Sequence, residues 1–326
     1  MSNHPGVTVA IYGATGAVGT DLIRALERAG FVADWRLFAS PATRSPSVEA
    51  GGRLRAVRPL PTTADDPALR GVDFGFVCLP PAVAARAPLP EHARWVDLSG
   101  AFGGVGVPVV LPAGEGVLGP MDALAGRVLR VPGPVAAVVG AVLGPLAAFG
   151  LGSVDATALV SAGLRGRAAA EELSAQVVSL FNQSEPPRRV FPEGLAFDLL
   201  PEAPGTAPLG DAAAAEISAL LPGLSPSVRV AWVPLFAGVV VSLRARVEEP
   251  VDEELLRGLW ADAGLQAQGA LSVRRLVGRA GVALGPAAVD GDGLGFGVWA
   301  AADNLRACTT APAVQLLARW LGGGES

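Results

Sequence analysis

The sequence predicts an α/β protein in which an N-terminal Rossmann-type parallel sheet precedes a second, α+β domain. Residues Val7–Arg28 have the pattern of a strand, a glycine-rich turn and a helix. Short apolar strands then alternate with helix-length segments as far as residue 131, which indicates a parallel sheet with crossover helices. From Pro132 the pattern changes to longer apolar strands and alanine-rich helices. A chain of 326 residues is long enough for two such domains.

The glycine-rich turn has a spacing typical of a dinucleotide-binding loop. Thr8–Tyr12 is apolar and β-branched, as in a buried parallel strand, and Gly13, Gly16 and Gly19 follow at three-residue intervals. A helix over Ala17–Arg28 would direct N–H groups and partial positive charge at a pyrophosphate. The same GxxGxxG spacing is also compatible with a scaffold that needs small residues and binds nothing.

A second strand is predicted over Trp35–Ala39, and the loop after it bears on the choice of cofactor. Ser40, Arg44 and Ser45 follow the strand where such folds contact the adenosine ribose. An acidic residue there would bind the 2′-hydroxyl of NAD, whereas arginine and serine suit a 2′-phosphate. No residue from Ser40 to Ser47 is acidic, so the loop favours NADP, although a solvated polar loop explains the same residues.

The remaining elements are predicted from apolar periodicity. Further strands of the first domain are expected at Leu54–Val57, Val72–Leu79, Trp95–Leu98 and Arg127–Val131. The second domain is expected to hold a helix at Val135–Phe149, a strand at Ala156–Ser161, two antiparallel strands within Val228–Val247, a strand at Leu294–Ala300 and a closing helix at Ala311–Leu321. Ala168–Phe181 is predicted as an amphipathic helix with an apolar face of Leu173, Val177, Val178 and Phe181.

The composition excludes several classes of protein. A net charge of −5 argues against a nucleic-acid or anionic-membrane partner. The chain has no lysine, since all 25 basic residues are arginine, and this excludes Schiff-base and Walker A chemistry. Two cysteines (Cys78, Cys308) and two histidines (His4, His92) are too few and too scattered for a disulfide framework or a metal site. The N-terminus has no signal-peptide pattern, so the expected location is the cytoplasm.

One uncharged stretch, Val131–Val154, is long enough to span a bilayer. It contains three prolines and five glycines, and its apolar residues are mostly alanine and valine. A helix in the core of a domain therefore explains it better than a membrane span, and no membrane partner is expected.

Several segments together resemble the aspartate-semialdehyde dehydrogenases. They are Ile11–Gly19 (IYGATGAVG), Val96–Phe102 (VDLSGAF), Glu171–Pro201, Val233–Gly238 (VPLFAG) and Ala302–Cys308 (ADNLRAC), and their order and spacing match over nearly the whole chain. The resemblance implies an NADP-binding Rossmann domain over residues 1–131, completed by the C-terminal helix over residues 303–326. It also implies a central α+β dimerisation domain of the semialdehyde dehydrogenase type over residues 132–302, which carries catalysis and pairs two subunits.

The catalytic groups that the resemblance implies are absent from this sequence. That family uses a cysteine nucleophile, a histidine acid/base, an orienting glutamine and arginines for carboxylate and phosphate. Its nucleophile position is occupied here by Pro134, and its acid/base position by Val239. Apolar or small residues also stand where the two arginines, the glutamine and a phosphate-binding lysine are expected, namely Trp232, Gly103, Ala158–Val160 and Ala212–Ala215.

The cofactor side resembles the family more closely. Its candidate cofactor-binding residues are Gly13, Thr15, Gly16, Ala17, Val18, Gly19, Ser99, Ser161, Gly163 and Asn304, to which the ribose loop adds Ser40, Arg44 and Ser45. We therefore expect a catalytically inactive relative that binds NADP, forms a homodimer through its central domain and has an interaction or regulatory role. Two alternatives stay open: an active NADP-dependent oxidoreductase with relocated groups, Cys78 being the candidate thiol, and a heteromer with an active dehydrogenase.

Overall fold

The structure is a computed structural model that describes residues 6–40, 47–102, 107–113, 116–120, 122–202 and 208–322. The chain forms two compact units. The first comprises residues 1–112, 119–132 and 309–326, and the second comprises residues 113–118 and 133–308. The two units are described separately below.

The strands are β1 (Val7–Tyr12), β2 (Ala33–Ala39), β3 (Ser47–Ala50), β4 (Arg53–Ala56), β5 (Arg58–Pro59), β6 (Phe74–Val77), β7 (Arg94–Asp97), β8 (Leu111–Ala113), β9 (Gly116–Leu118), β10 (Val128–Arg130), β11 (Leu151–Ser161), β12 (Leu200–Pro201), β13 (Ser225–Val233), β14 (Val239–Val247), β15 (Gln266–Ala267), β16 (Ala283–Val289) and β17 (Gly295–Ala302). The helices are α1 (Ala17–Arg28), α2 (Pro81–Ala84), α3 (Pro134–Leu143), α4 (Arg167–Phe181), α5 (Pro208–Leu220), α6 (Glu253–Asp262), α7 (Val273–Leu276) and α8 (Ala311–Gly322).

The first unit is built on a six-stranded parallel sheet, which confirms the predicted Rossmann-type architecture. Its strand order is β10-β7-β6-β1-β2-β5, and every pairing is parallel. The strand predicted at Leu54–Val57 forms as β4, but it lies outside the parallel sheet, because it pairs antiparallel with β3 in a separate hairpin. Gly51 and Gly52 both have positive φ (65° and 66°), the conformation that a two-residue hairpin turn requires.

The core of the first unit contains large aromatic side chains on the central strands. Tyr12 is fully buried, with its ring centroid 5.5 Å from that of Phe38 and 4.9 Å from that of Trp95. Its hydroxyl donates a hydrogen bond of 2.7 Å to the carbonyl of Pro88, so the only tyrosine of the chain is a packing residue with a satisfied polar end. The last helix, α8, packs against α1 in this unit.

The second unit is built on a seven-stranded mixed sheet with the order β12-β13-β11-β14-β17-β16-β15. The long strand β11 lies between β13, to which it is parallel, and β14, to which it is antiparallel. The two apolar runs within Val228–Val247 therefore form strands as predicted, but they are separated by β11 and do not pair with each other. Helix α3 packs against β14, β17 and α5, while α5 also packs against β13.

The apolar segment at the start of the second unit forms a short helix. Helix α3 ends at Leu143, where Gly144 and Pro145 convert the chain to a 3-10 turn that continues to Phe149. Pro145 cannot donate a helical hydrogen bond, which explains why the predicted helix to Phe149 is divided. No helix among residues 6–40, 47–102, 107–113, 116–120, 122–202 and 208–322 is both long and apolar enough to cross a membrane.

Helix α4 corrects the prediction of its buried face. The structure buries Ala169, Glu172, Leu173 and Gln176, whereas Val178 and Phe181 are 57% and 75% exposed. The reason is hydrogen bonding: the Glu172 carboxylate accepts from the backbone N–H groups of Arg189, Val190 and Phe191 at 2.7, 2.8 and 2.9 Å. Gln176 Oε1 accepts from Leu195 and Ala196. Two polar side chains thus occupy the inner face because they hold the loop that follows the helix.

Candidate nucleotide loop and substrate-pocket positions

The glycine loop follows β1, at the centre of the parallel sheet. Gly13 has a φ of +87°, and a Cβ atom built there would overlap the carbonyl group of Cys78. A Cβ atom at Gly19 would overlap the carbonyl oxygen of Gly13, so the helix can approach the loop only where residue 19 has no side chain. The N–H groups of Gly13 and Ala14 both donate to the Phe38 carbonyl, at 2.8 and 3.0 Å, which fixes the loop to β2.

Gly16 differs from the other two glycines because it is exposed and its backbone dihedral angles are ones that any residue can adopt. It is the N-cap of α1 with φ −76° and ψ 168°. It has no side chain to cap the first-turn N–H groups at Ala17, Val18 and Gly19, and the first turn contains no acidic residue. An anion brought to this helix end would meet N–H donors and the positive end of the helix dipole, with no nearby carboxylate from that turn.

The other cofactor candidates of the first unit are at the ends of strands. Ser40 directly follows β2 and is exposed, whereas Arg44 and Ser45 lie outside the described residues. Ser99 follows β7, and its hydroxyl donates to the Asp97 carboxylate while it accepts from the Ala101 N–H at 3.1 Å. Ser99 is therefore already part of a turn, and any contact with a cofactor would have to share its hydroxyl oxygen.

Asp97 organises that turn and was missed among the candidate residues. It is fully buried, and its carboxylate accepts from the N–H of Ser99 at 2.8 Å and from that of Phe102 at 3.3 Å. A signal for it was present, since aspartate at the end of an apolar strand and before Ser-Gly is typical of a residue that bonds the backbone two residues on.

Ser161, Gly163 and Asn304 all belong to the second unit. Ser161 ends β11 and is fully buried, with no hydrogen-bond partner for its Oγ among the described residues. Gly163 lies against the backbone carbonyl of Phe236, which leaves no room for a Cβ atom. Asn304 follows β17, and its Oδ1 accepts the N–H of Gly238 at 2.6 Å, so this amide positions the residue before β14.

The position of the expected nucleophile is the first residue of α3. Pro134 stands there, partly exposed, and Gly133 precedes it as the N-cap. The N–H of Gly133 donates at 2.7 Å to Oε2 of Glu216, a buried residue of α5. Proline is well suited to begin a helix because it needs no N–H donor there, but it offers neither a nucleophile nor an oxyanion donor.

The other expected catalytic positions also carry unreactive side chains. Val239, in the acid/base position, begins β14 and is fully buried. Trp232, in an arginine position, is 6% exposed and packs against Phe191 with a centroid distance of 5.7 Å. The Arg165 guanidinium lies over both rings, 4.5 Å from the Trp232 centroid, and donates to the carbonyl of Val190. A packed aromatic and cationic cluster thus stands at this position.

Neither cysteine has the environment of a reactive thiol. Burial, and to a smaller degree the Asp97 carboxylate, raises the pKa of the Cys78 thiol well above its ordinary range. Burial and the Asp303 carboxylate do the same for the pKa of Cys308. The thiolate is the nucleophilic form, so both residues remain protonated and inert near neutral pH. Within the described ranges, no group of three His, Cys, Asp or Glu side chains is arranged to hold a metal ion.

Comparison with known proteins identifies the relatives of this chain. Residues 8–114 match the semialdehyde dehydrogenase NAD-binding domain. The chain is 29% identical to a USG-1 protein homolog from Azotobacter vinelandii (96% of this chain, 97% of the relative) and 30% identical to a USG-1 protein homolog from Pseudomonas aeruginosa (84% of each).

Solved structures show the same fold over the whole length. An aspartate semialdehyde dehydrogenase II from Vibrio cholerae superposes with a TM-score of 0.86 at 21% identity, covering 100% of both chains. A probable aspartate-semialdehyde dehydrogenase from Pseudomonas aeruginosa gives a TM-score of 0.85 at 26% identity, covering 97% of this chain and 98% of that one. With the parallel sheet, the glycine loop and these relatives in agreement, the chain belongs to the aspartate-semialdehyde dehydrogenase family.

Proposed function

We propose that this chain is a catalytically inactive, NADP-binding member of the family that acts as a homodimer in an interaction or regulatory role. The observation that carries the proposal is the pair Pro134 and Val239, which stand in the nucleophile and acid/base positions. Loss of one member of such a catalytic unit costs several orders of magnitude in rate, and here both members are replaced by residues that carry neither a nucleophile nor an acid/base group.

The state of the cysteines supports inactivity over relocated catalysis. Cys78 lies beside the glycine loop, because its backbone carbonyl lies against Gly13 and its backbone N–H donates a hydrogen bond of 2.8 Å to the backbone carbonyl of Tyr12. Its raised pKa leaves little thiolate at neutral pH, so it is a poor substitute nucleophile. Both cysteines are free thiols, which fits a reducing compartment, and we place the protein in the cytoplasm.

The form of the glycine loop supports a nicotinamide cofactor. Gly13 and Gly19 are needed for the backbone path, and the exposed Gly16 leaves the helix N-terminus open to a pyrophosphate. We propose NADP over NAD because the residues from Ser40 to Ser47 include Arg44 and no acid.

The open face of the second sheet supports a dimer. Along β11 the side chains of Val154, Ala156, Ala158 and Val160 are buried, while Asp155 and Thr157 on the opposite face are exposed. Thr157 pairs with Ser242 on β14, and Ser242 pairs with Trp299 on β17, so these three side chains lie on the same face of the sheet. Trp299 is 47% exposed there. A large aromatic side chain on an uncovered sheet is typical of an interface.

The activity experiment mixes the purified chain with aspartate semialdehyde, NADP and phosphate. The expected result is no phosphate-dependent reduction of NADP above the protein-free rate, with an active family member as the positive control. A measurable rate would overturn the proposal of inactivity.

Binding and assembly are tested separately from activity. A thermal-shift series with NADP and NAD should raise the melting temperature, and more for NADP, because a ligand that binds only the folded state stabilises it. Light scattering should give the mass of a dimer, and Trp299→Asp should give a monomer. The matched control is Leu255→Asp, an exposed residue of α6, a helix that packs against the opposite face of the sheet through Trp260 and Phe296. A wild-type monomer that pairs only with an active dehydrogenase would replace the homodimer by the heteromer.

A further inference from the structure

A groove in the second unit lies outside all the positions discussed above. It has a volume of about 380 Å³ and lies between α6, the edge strand β15 and its neighbour β16. This volume falls in the range of about 300–1,000 Å³ that small-molecule pockets occupy. Its apolar part is formed by Trp260, Ala261, Leu265, Leu284 and Pro286.

A β-bulge shapes one wall of the groove. Leu284 pairs with Ala300 and Ala287 pairs with Val298, so three steps along β16 match two along β17. The bulged residues, Gly285 and Pro286, line the groove. Bulges locally interrupt a ladder, bend the strand and are enriched beside functional sites.

The charged residues of the groove are two side chains one helical turn apart. Glu253 and Arg257 are exposed, lie at i and i+4 of α6, and both line the groove. This spacing normally favours an ion pair, yet neither side chain forms an ion pair or hydrogen bond with any residue in the part of the chain that the structure describes. The indole N–H of Trp260, by contrast, donates to the carbonyl of Val142 at 2.9 Å and adds only an apolar surface.

We propose that this groove binds a free α-amino acid with an apolar side chain. Arg257 would hold the α-carboxylate, Glu253 the α-ammonium group, and the side chain would lie against Trp260, Leu265 and Leu284. The charge pattern selects this class: a simple carboxylic acid would be repelled by Glu253, and a simple amine by Arg257. An uncharged apolar ligand would desolvate both charges without pairing them.

The test is calorimetric titration of the full chain with L-leucine, compared with L-leucine amide and N-acetyl-L-leucine. L-leucine should bind, and each analogue should bind about tenfold or more weakly, because each lacks one of the two charged groups. Arg257→Gln and Glu253→Gln should each weaken L-leucine by a similar factor. Glu254→Gln, on the same helix but outside the groove, and Arg274→Gln, on α7, are the matched controls and should leave binding unchanged.

A second variant, in which a large side chain fills the groove, tests the proposal even if the substitutions of Glu253 and Arg257 change the affinity only slightly. Ala261 is exposed and lines the groove, so Ala261→Trp should abolish binding while the melting temperature stays near that of the wild type. Absence of L-leucine binding up to about 10 mM would overturn the proposal, as would equal binding by Arg257→Gln or by the two analogues. The groove residues belong to the second unit and the glycine loop to the first, so failure here is distinguishable from failure of the nucleotide proposal.

Discussion

Replacement of Gly16 by alanine separates nucleotide binding from folding in the glycine loop. Gly16 has φ −76°, which alanine adopts readily, and its added Cβ would lie 3.3 Å from the Gly13 carbonyl oxygen, slightly closer than ordinary contact. Alanine reduces the freedom of the unfolded chain but is a poorer N-cap than glycine, and these two effects oppose each other. We therefore expect the free energy of unfolding to change by about 1 kcal/mol or less.

The effect of the same methyl group on nucleotide binding should be much larger. Gly16 is on the exposed side of the loop, where the pyrophosphate would approach the N–H groups of the first helical turn. A Cβ atom there would displace the phosphate from at least one N–H donor, and a hydrogen bond to a charged group contributes about 1.5–3 kcal/mol. The dissociation constant for NADP should rise by about 10- to 150-fold.

The assay is calorimetric or fluorescence titration with NADP, together with urea denaturation of the same samples. Gly258→Ala is the matched control, because its added Cβ has no neighbour within 4 Å, and it lies in α6 of the other unit. That control should gain about 0.5–1 kcal/mol of stability and keep the NADP affinity of the wild type. Gly13→Ala and Gly19→Ala should instead lose about 2 kcal/mol or more, because each new Cβ overlaps backbone. Equal NADP affinity of the wild type and Gly16→Ala would refute the assignment of the loop.

Three further outcomes are expected. Glu172→Gln should lower the free energy of unfolding by about 1–3 kcal/mol, since an amide cannot accept hydrogen bonds from all three backbone N–H groups. The control Glu171→Gln, which removes only an exposed ion pair with Arg167, should lower it by under about 1 kcal/mol. Similar losses for the two variants in urea denaturation would contradict this. Burial alone would raise the pKa of Glu172, but these N–H groups outweigh it and lower the pKa, so its contribution is present above about pH 4.3 and is lost as the pH falls through the folded-state pKa. Pro134→Cys should give a thiol that reacts with an aromatic disulfide reagent faster than Cys78 or Cys308, because a helix N-terminus lowers the pKa of a thiol. The same variant should still show no reduction of NADP. Activity of this single variant would show that the valine at position 239 does not limit the reaction. Because the pKa values of Cys78 and Cys308 are raised in the folded state, their contribution to the free energy of unfolding is fully present below about pH 8.5 and falls above it by up to about 1.4 kcal/mol per pH unit per thiol. In urea denaturation between pH 8 and 10, the free energy of unfolding of a Cys308→Ala variant should therefore decline less steeply than that of the wild type. An unchanged slope would contradict the burial of that thiol.

Local patterns in the sequence were sufficient for the parallel sheet and the glycine loop. Apolar runs such as Val7–Tyr12 form buried strands wherever a sheet is covered on both faces. The spaced glycines mark positions such as Gly13 and Gly19, where the backbone leaves no room for a Cβ atom. The order of strands in the second unit was not accessible in the same way. The two runs within Val228–Val247 form antiparallel strands as predicted, but nothing in them indicated that β11 lies between them, because pairing depends on which strands the helices bring together.

By itself, the sequence determined the fold class and the position of the glycine loop, since both depend on residue type and spacing. Only the tertiary structure decided that Glu172 and Gln176 lie on the inner face of α4, because their backbone partners lie 11 to 20 residues away along the chain. It alone likewise decided that Asp97 organises the turn around Ser99, and that Glu253 and Arg257 line a groove without pairing with each other. Hydrogen-bond partners and cavities arise from distances between segments, and periodicity within one segment contains no information about those distances.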